Sequence, residues 1–452
     1  MEIDPGNTAW MLVASALVLF MTPGLAFFYG GLTRSKNVVA TIMQSFICIS
    51  VVAILWTLVG YSLAFGPDQG LGLIGNFDHL ALRNVGVEPI ANGVPHLLFF
   101  AFQMMFAIIT PALITGAFAE RARFGPFLVF VGLWSLLVYV PVAHWVFATD
   151  GWLSPFSSNP DTPDIGLNSL DFAGGLAIHV NAGVAAIAAV LIFGRRRGYG
   201  TIPMEPHDVP MVVLGAAILW FGWFGFNAGS AVGATGQAVY AFVNTNLAAA
   251  TAALAWALAA WRIGGKPSAV GAASGAVAGL VAVTPASGYV EPLSAIVIGA
   301  VAGVLCYLAV RLRARLHFDD SLDVVGVHGV GGAWGAVATG IFAAASVSGL
   351  PYAKGLIEGE WHRLTDALVG IVAVGAYTFA VSFVILKVLD ILVGVRVTEE
   401  EEELGLDVTQ HGERAYAFEE AAGVALPAGP AIPLAPESYT AAAAPSPRPR
   451  EA

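Results

Sequence analysis

The chain has 452 residues, 57% of them hydrophobic and only 11% charged, with 52 glycines and a formal net charge of −11; its mean hydropathy is +0.75. That composition excludes an ordinary soluble domain, and the acidic balance argues against a nucleic-acid partner. Its two cysteines, Cys48 and Cys306, lie in apolar stretches without CxxC spacing, which excludes a disulfide framework and a thiolate zinc site.

In chain order, eleven apolar segments reach the length of about 20 residues that spans a bilayer: 8–31, 38–65, 95–119, 124–147, 172–194, 209–229, 237–261, 269–285, 291–310, 324–345 and 364–394. The segment before the first, MEIDPGN, has no basic n-region and no small-residue cleavage site, so the first span is expected to be retained. Alternate loops hold twelve Lys and Arg, from Arg34 and Lys36 through Arg121, Arg123, Arg195–Arg197, Arg262 and Lys266 to Arg311, Arg313 and Arg315. The other loops hold three, Arg83, Lys354 and Arg363. Because basic loops stay cytoplasmic, the expectation is an N-terminus outside, a C-terminus inside, and a multi-pass protein of the cytoplasmic (inner) membrane.

Eleven spans divide into five, five and one. An odd number per repeat inserts the second half upside down, the inverted-repeat plan of many transporters, whose pathway lies between the halves near the midplane. The expected fold is therefore an all-α membrane protein of eleven transmembrane helices, two inverted five-helix repeats plus one extra helix. Residues 1–394 form the membrane domain. A cytoplasmic region, 395–420, opens on the acidic run Glu399 to Glu403, and a Pro/Ala-rich segment, 421–452, is expected to be disordered.

Within these spans, His179 in GGLAIHVNAGVAAIAAV and His328 in VVGVHGVGGAWGAVATG occupy the last helix of each half. An ionisable group at membrane depth faces a cavity, a pathway or a partner. The other seven histidines fall in loops, in the tail or near helix ends, where solvent is expected to reach them; His144 comes closest to an exception. A metal site would need about four ligands, and no Cys, Asp or Glu stands within helical reach of both imidazoles, so no metal or cofactor is expected. Two readings remain from the residues alone: a mutually satisfied structural pair, or paired imidazoles that hold a small polar guest or relay a proton. Neither histidine has a GxSxG nearby, and no enzyme is expected. Aromatic residues gather in AFQMMFAIITPALITGAFAERARF and LWFGWFGFNAGSAVG, where they fill a core or line a path.

The segments MTPGLAFFYGG, GAFAERARFG, DFAGGLAIHVNAG, GWFGFNAGS, VTPASGYV, DDSLDVVGVHGVGG and GLDVTQHGERAY, in this order from about Trp10 to Tyr416, closely resemble the ammonium transporter family, the Amt/Mep branch of the Amt/Mep/Rh superfamily. The resemblance implies twin pore histidines at His179 and His328 and a phenylalanine gate at Phe106 and Phe226. It places ammonium recruitment at Ser230 with Phe102 and Phe147, and Gln103, Trp223 and Thr284 around them. Asp171 matches an acid tied to the mouth of the pore, and an Asp before an apolar helix is equally an N-cap. The implied substrate is ammonium, with methylammonium as its analogue. It would be deprotonated near the phenylalanines because a bare cation is too costly in an apolar pore. Electrogenic transport with separate proton movement is the favoured variant over passive Rh-like conduction of ammonia or carbon dioxide; a sensor-transporter signalling through its tail is a further alternative.

One residue departs from the family pattern. The family's HWVW-type segment reads HWVF here, so Phe147 stands in place of a tryptophan. Either the weaker phenyl ring makes a lower-affinity cation site, or Trp145 or Trp152 supplies the ring. In the tail, Arg396, Gly405, Asp407, His411, Gly412, Glu413 and Tyr416 match the family's regulatory region. This implies a homotrimer with coupled subunits and a PII-type signalling protein as partner. The five glutamates are expected to latch onto Arg195–Arg197 and Arg311–Arg315.

Overall fold

A computed structural model describes residues 2–155 and 168–416; the predicted 421–452 segment and part of the 148–170 loop lie outside them. Ten helices among these residues are long and apolar enough to cross a membrane: α1 Pro5–Leu32, α2 Ser35–Phe65, α3 His96–Ala117, α4 Phe124–Phe147, α5 Gly175–Phe193, α6 Val209–Gly229, α7 Gly236–Gly264, α9 Pro292–Arg315, α10 Val325–Phe342 and α11 His362–Val393. The eleventh, α8 Ala269–Val283, is shorter. It stops because Thr284–Tyr289 turn while still fully enclosed by protein, the one setting in which irregular backbone is tolerated at membrane depth. No sheet occurs among the described residues, only isolated two-residue bridges. The chain is a multi-pass membrane protein.

Local sequence explains where the helices begin. Asp4, Asp208, Thr235 and Ser268 each accept a backbone N–H in the first turn of the helix they precede, and α1, α6 and α9 carry proline in that turn, where its missing N–H costs nothing. Large apolar side chains such as Leu12, Ile54, Leu214, Val372 and Ile391 remain exposed on the outside of the bundle, as a lipid-facing surface requires.

Helix α1 lies along α6, and α5 along α10. Each pair joins same-ranked members of the two halves, running in opposite senses. The α5–α10 crossing is tight because glycines stand at it: a Cβ on Gly332 would lie 2.8 Å from the Cβ of His179. In lipid, where no hydrophobic drive draws helices together, such backbone-level contact supplies the packing.

On the face that carries the basic loops, a buried ion network ties the loops together. Glu120 meets Arg34 at 2.6 Å and Arg196 at 3.2 Å, while Arg196 meets Asp319 at 2.8 Å. Burial alone would raise both carboxyls, but Arg196, with Arg34 on Glu120 and Arg121 on Asp319, outweighs it and holds both below the usual carboxylate range.

The acidic run folds rather than dangling. Glu399–Leu404 is a short helix closed at its start by a Thr398–Glu401 capping box. Lys36 Nζ donates to the carbonyls of Glu402 and Glu403 at 2.8 and 2.5 Å, Arg396 pairs with Glu402 at 2.7 Å, and Asp407 accepts the N–H of Ala40 at 2.9 Å. His411 packs edge-on against Phe124, and Tyr416 Oη lies 3.0 Å from His207 Nε2. Gly405 and Gly412 have positive φ, and Gly405 lies against Lys36. Glu413 closes the segment by donating its N–H to the Asp407 carbonyl at 3.1 Å.

The expected latch is corrected in its partners. Arg197 does pair with Glu399 and Glu403, at 3.5 and 3.2 Å, but Arg311 bonds Tyr307 and Arg313 pairs with Asp323. Arg311 and Arg313 are thus engaged within α9 and with the segment leading into α10, and Lys36, Arg197 and Arg396 hold the tail. His144 is also corrected: it is fully enclosed, its Nδ1 2.9 Å from the Ala64 carbonyl and its Nε2 3.2 Å from Asp68. It ties the end of α4 to the end of α2 and to Asp68 just beyond it.

Candidate functional site

His179 and His328 each sit in a π-helical turn that opens its helix, Gly175–Val180 at the start of α5 and Val325–Gly329 at the start of α10. Such turns leave the regular hydrogen-bond ladder and often mark functional positions. Asp171 holds the first of them: its carboxylate accepts the N–H groups of Gly174, Gly175, Leu176 and Ala177 at 2.9, 2.5, 2.8 and 3.2 Å. These four bonds are those of a helix cap and fix the turn that carries His179, while Asp171 also lines the vestibule.

The same device recurs at α10, where Asp320 accepts the Val325 N–H at 2.8 Å. Asp320 precedes His328 by the eight residues that separate Asp171 from His179. Sequence reasoning missed Asp320, although this repeated spacing was the available signal. Because α5 and α10 run in opposite senses, equal positions on them meet. Their imidazoles stack at 5.4 Å between centroids and 20° between planes, with the Nδ1 atoms 3.3 Å apart. Contact between two ring nitrogens needs a proton on one and a lone pair on the other, so this geometry is incompatible with two imidazolium ions.

Aromatic rings continue the column. The His179 ring lies parallel to Trp223 and to Phe226, at 5.5 and 6.0 Å. Phe226 meets Phe106 at 4.5 Å, and Phe106 meets Phe102 at 4.8 Å. Trp223 is oriented by donating its Nε1 proton to Thr284 Oγ1 at 2.9 Å, and Thr284 in turn donates to the Leu280 carbonyl at 2.7 Å. Thr284 thus works through Trp223, at the buried turn that ends α8.

Three cavities follow one another along this column. A vestibule of about 900 Å³ on the face opposite the tail is lined by Gln103, Phe106, Phe147, Asp171 and Ser230 among others. Beyond the Phe106–Phe226 contact lies a lumen of about 50 Å³ lined by Phe226, Trp223, His179, His328 and Asp323, room for a few water-sized molecules at ~15 Å³ each. It shares Leu32, Val270, Leu322 and Asp323 with a mouth of about 330 Å³ on the basic face. His179 Nε2 has no hydrogen-bond partner among the described residues, leaving a buried polar atom available to a guest. At the mouth, burial pushes the Asp323 carboxyl up to about 7 against the pull of Arg313, a range in which it can hold or release a proton.

The sequence-expected residues therefore divide. Gln103, Phe106, Phe147 and Ser230 line the vestibule, and Phe226, Trp223, His179 and His328 line the lumen, with the Phe106–Phe226 contact between the two. Phe102 lines neither: it is fully buried behind Phe106. Ser230 spends its hydroxyl proton on the Phe226 carbonyl at 2.8 Å, which leaves its oxygen as an acceptor. Of the candidate replacement rings, Trp145 is packed against Trp152 and Tyr377 and neither Trp145 nor Trp152 lines the vestibule, so Phe147 is the ring of that segment that does.

The profile of the Ammonium Transporter Family matches residues 9–416. An ammonium transporter of Bacillus subtilis is 47% identical over 414 residues, covering 91% of this chain and 98% of that protein. The crystal structure of Saccharomyces cerevisiae Mep2 superimposes with a TM-score of 0.83 at 40% identity, covering 93% and 94% of the two chains. A solved protein described as a sensor Amt protein is similar at a TM-score of 0.80 and 30% identity, covering 90% and 98%.

Proposed function

The chain belongs to the ammonium transporter family, and from that premise we propose that it takes up ammonium across the cytoplasmic membrane, its vestibule facing outward and its tail inward. The observation that carries this is the His179–His328 pair with its open Nε2, set in a narrow lumen between two wider mouths. Ammonium gathers at Phe147 and Ser230, whose ring face and lone pairs suit a cation with N–H donors. No ring of carboxylates or carbonyls lines the described lumen to replace a hydration shell. A bare cation would lose many kcal/mol there, so the proton leaves near Phe106 and Phe226 and ammonia passes the imidazoles. The proton moves separately and rejoins ammonia inside. Potassium, with no proton to lose, is excluded. Proteoliposome currents test this: ammonium and methylammonium are expected to carry current and potassium none, whereas equal potassium current overturns it.

Phe147 offers a weaker face than an indole, and a cation-π increment is about 0.5–2 kcal/mol. Phe147→Trp is therefore expected to lower the half-saturating ammonium concentration several-fold at most, read from concentration-dependent currents. No change would assign recruitment to other groups.

We assign the tail as regulatory, coupling subunits of a homotrimer and offering its face to a PII-type protein. Truncation before Thr398 removes the Glu402 and Asp407 contacts to Lys36, Arg396 and Ala40, and is expected to lower or deregulate transport while the pore still assembles. Truncation after Glu420 is expected to change little. Equal transport by both, with no PII binding in a pull-down, rules the regulatory role out.

A further inference from the structure

The vestibule has a second set of lining residues that no step above uses: Tyr61, Phe65, His79, His96 and Phe99. His96, Phe99, Gln103 and Phe106 recur at i, i+3, i+7 and i+10, so they share one face of α3. His96 opens that stripe about 15 Å along the helix axis from Phe106, at 1.5 Å per residue.

These side chains form one connected group. Tyr61 Oη lies 2.6 Å from His96 Nε2. The His79 ring meets His96 edge to face at 5.2 Å and 84°, and meets Tyr61 at 5.9 Å. Phe65 meets Phe99 at 5.2 Å and 83°. His79 Nδ1 lies 3.2 Å from the Arg83 carbonyl, which can only accept, so in the neutral ring the proton sits on Nδ1 and Nε2 carries a lone pair. That lone pair has no partner among the described residues. The carboxylate of Asp150 lines the same cavity. Aromatic faces, an open imidazole lone pair, a hydroxyl and a nearby negative charge together suit a small cation that donates N–H bonds.

We propose that Tyr61, His79 and His96, walled by Phe65 and Phe99, form a second binding site for ammonium or methylammonium at the rim of the vestibule, from which the ion passes along the α3 stripe to Phe106. The site rests on the assignment of the vestibule as the ammonium-receiving mouth. It supplies cation affinity where Phe147 supplies less than an indole would. Tight packing alone accounts for the rings but leaves the acceptor nitrogen of a cavity-lining imidazole without a partner among the described residues.

The test uses the full-length protein in proteoliposomes and reads half-saturating concentration and maximal current separately. His79→Phe keeps the ring and removes the acceptor. It is expected to raise the half-saturating ammonium and methylammonium concentrations about three- to ten-fold with maximal current retained. His79→Gln, which restores an acceptor, is expected to recover most of that loss. Tyr61→Phe, which deletes one hydroxyl, is expected to shift half-saturation about two-fold in the same direction and decides the matter if His79→Phe does not assemble. Unchanged half-saturation in the variants, or a fall in maximal current alone, overturns the site. Absence of any ammonium current in the unaltered protein overturns the transport assignment and the site with it.

Discussion

His179→Ala and His328→Ala will each cut selective ammonium current by at least about ten-fold, the loss expected when one buried, guest-facing hydrogen-bonding group worth about 1.5–3 kcal/mol is deleted. Each substitution also leaves the surviving Nδ1 without its partner 3.3 Å away and opens space in a lumen of only about 50 Å³. The wider lumen admits water, and water carries ions, so a potassium current is expected to appear beside the reduced ammonium current. His→Gln, which keeps an amide donor and acceptor, should lose less than His→Ala. Wild-type rate and selectivity in both alanine variants would falsify the pathway role and leave the pair as packing.

Asp319→Ala will destabilise the protein by about 3–5 kcal/mol, the cost of leaving a buried charge without its counter-ion. Arg196, itself nearly enclosed, loses its 2.8 Å partner and keeps only Glu120 at 3.2 Å. Thermal unfolding in detergent should show a clearly lowered midpoint. The pH dependence has a defined sign. Glu120 and Asp319 titrate below their ordinary values in the folded protein, so the stability they contribute is complete above the unfolded carboxylate range of about 4. It is lost as pH falls through the folded values. Wild type should therefore lose stability on acidification below about pH 4, and Asp319→Ala should show a shallower acid loss. An unchanged midpoint, or an identical acid profile, would remove the network from the list of stabilising features.

Much of this architecture is legible in the sequence, for physical reasons. Spans are readable because lipid demands unbroken apolar length, and His179 and His328 stand out because an ionisable group there needs a reason. Phe106 and Phe226 are legible only through their motifs, since a phenylalanine in an apolar helix has no signature of its own. What stayed hidden depends on three-dimensional neighbours. His144 lies near a helix end, where solvent contact is the natural expectation, yet Asp68 and the Ala64 carbonyl fold over it. Phe102 is separated from Phe106 by one turn, and only the packing decides which ring faces the vestibule. Arg313 and Arg197 read alike in the sequence, as basic residues between apolar spans, and the choice between Asp323 and the tail is made by where α9 ends.

The eight-residue step from aspartate to histidine, present once in each half and read in opposite directions across the membrane, bears on direction as well as position. The two imidazoles and their capped turns are thus disposed alike toward either side, and any preference for direction has to come from what differs between the ends, the Phe106–Phe226 contact at one and Asp323 at the other. Net flow would be set by the electrochemical gradient, membrane potential included, and by how fast the cell consumes what arrives. A cell rich in ammonium would lose it through the same lumen unless something outside the histidine pair closes the path.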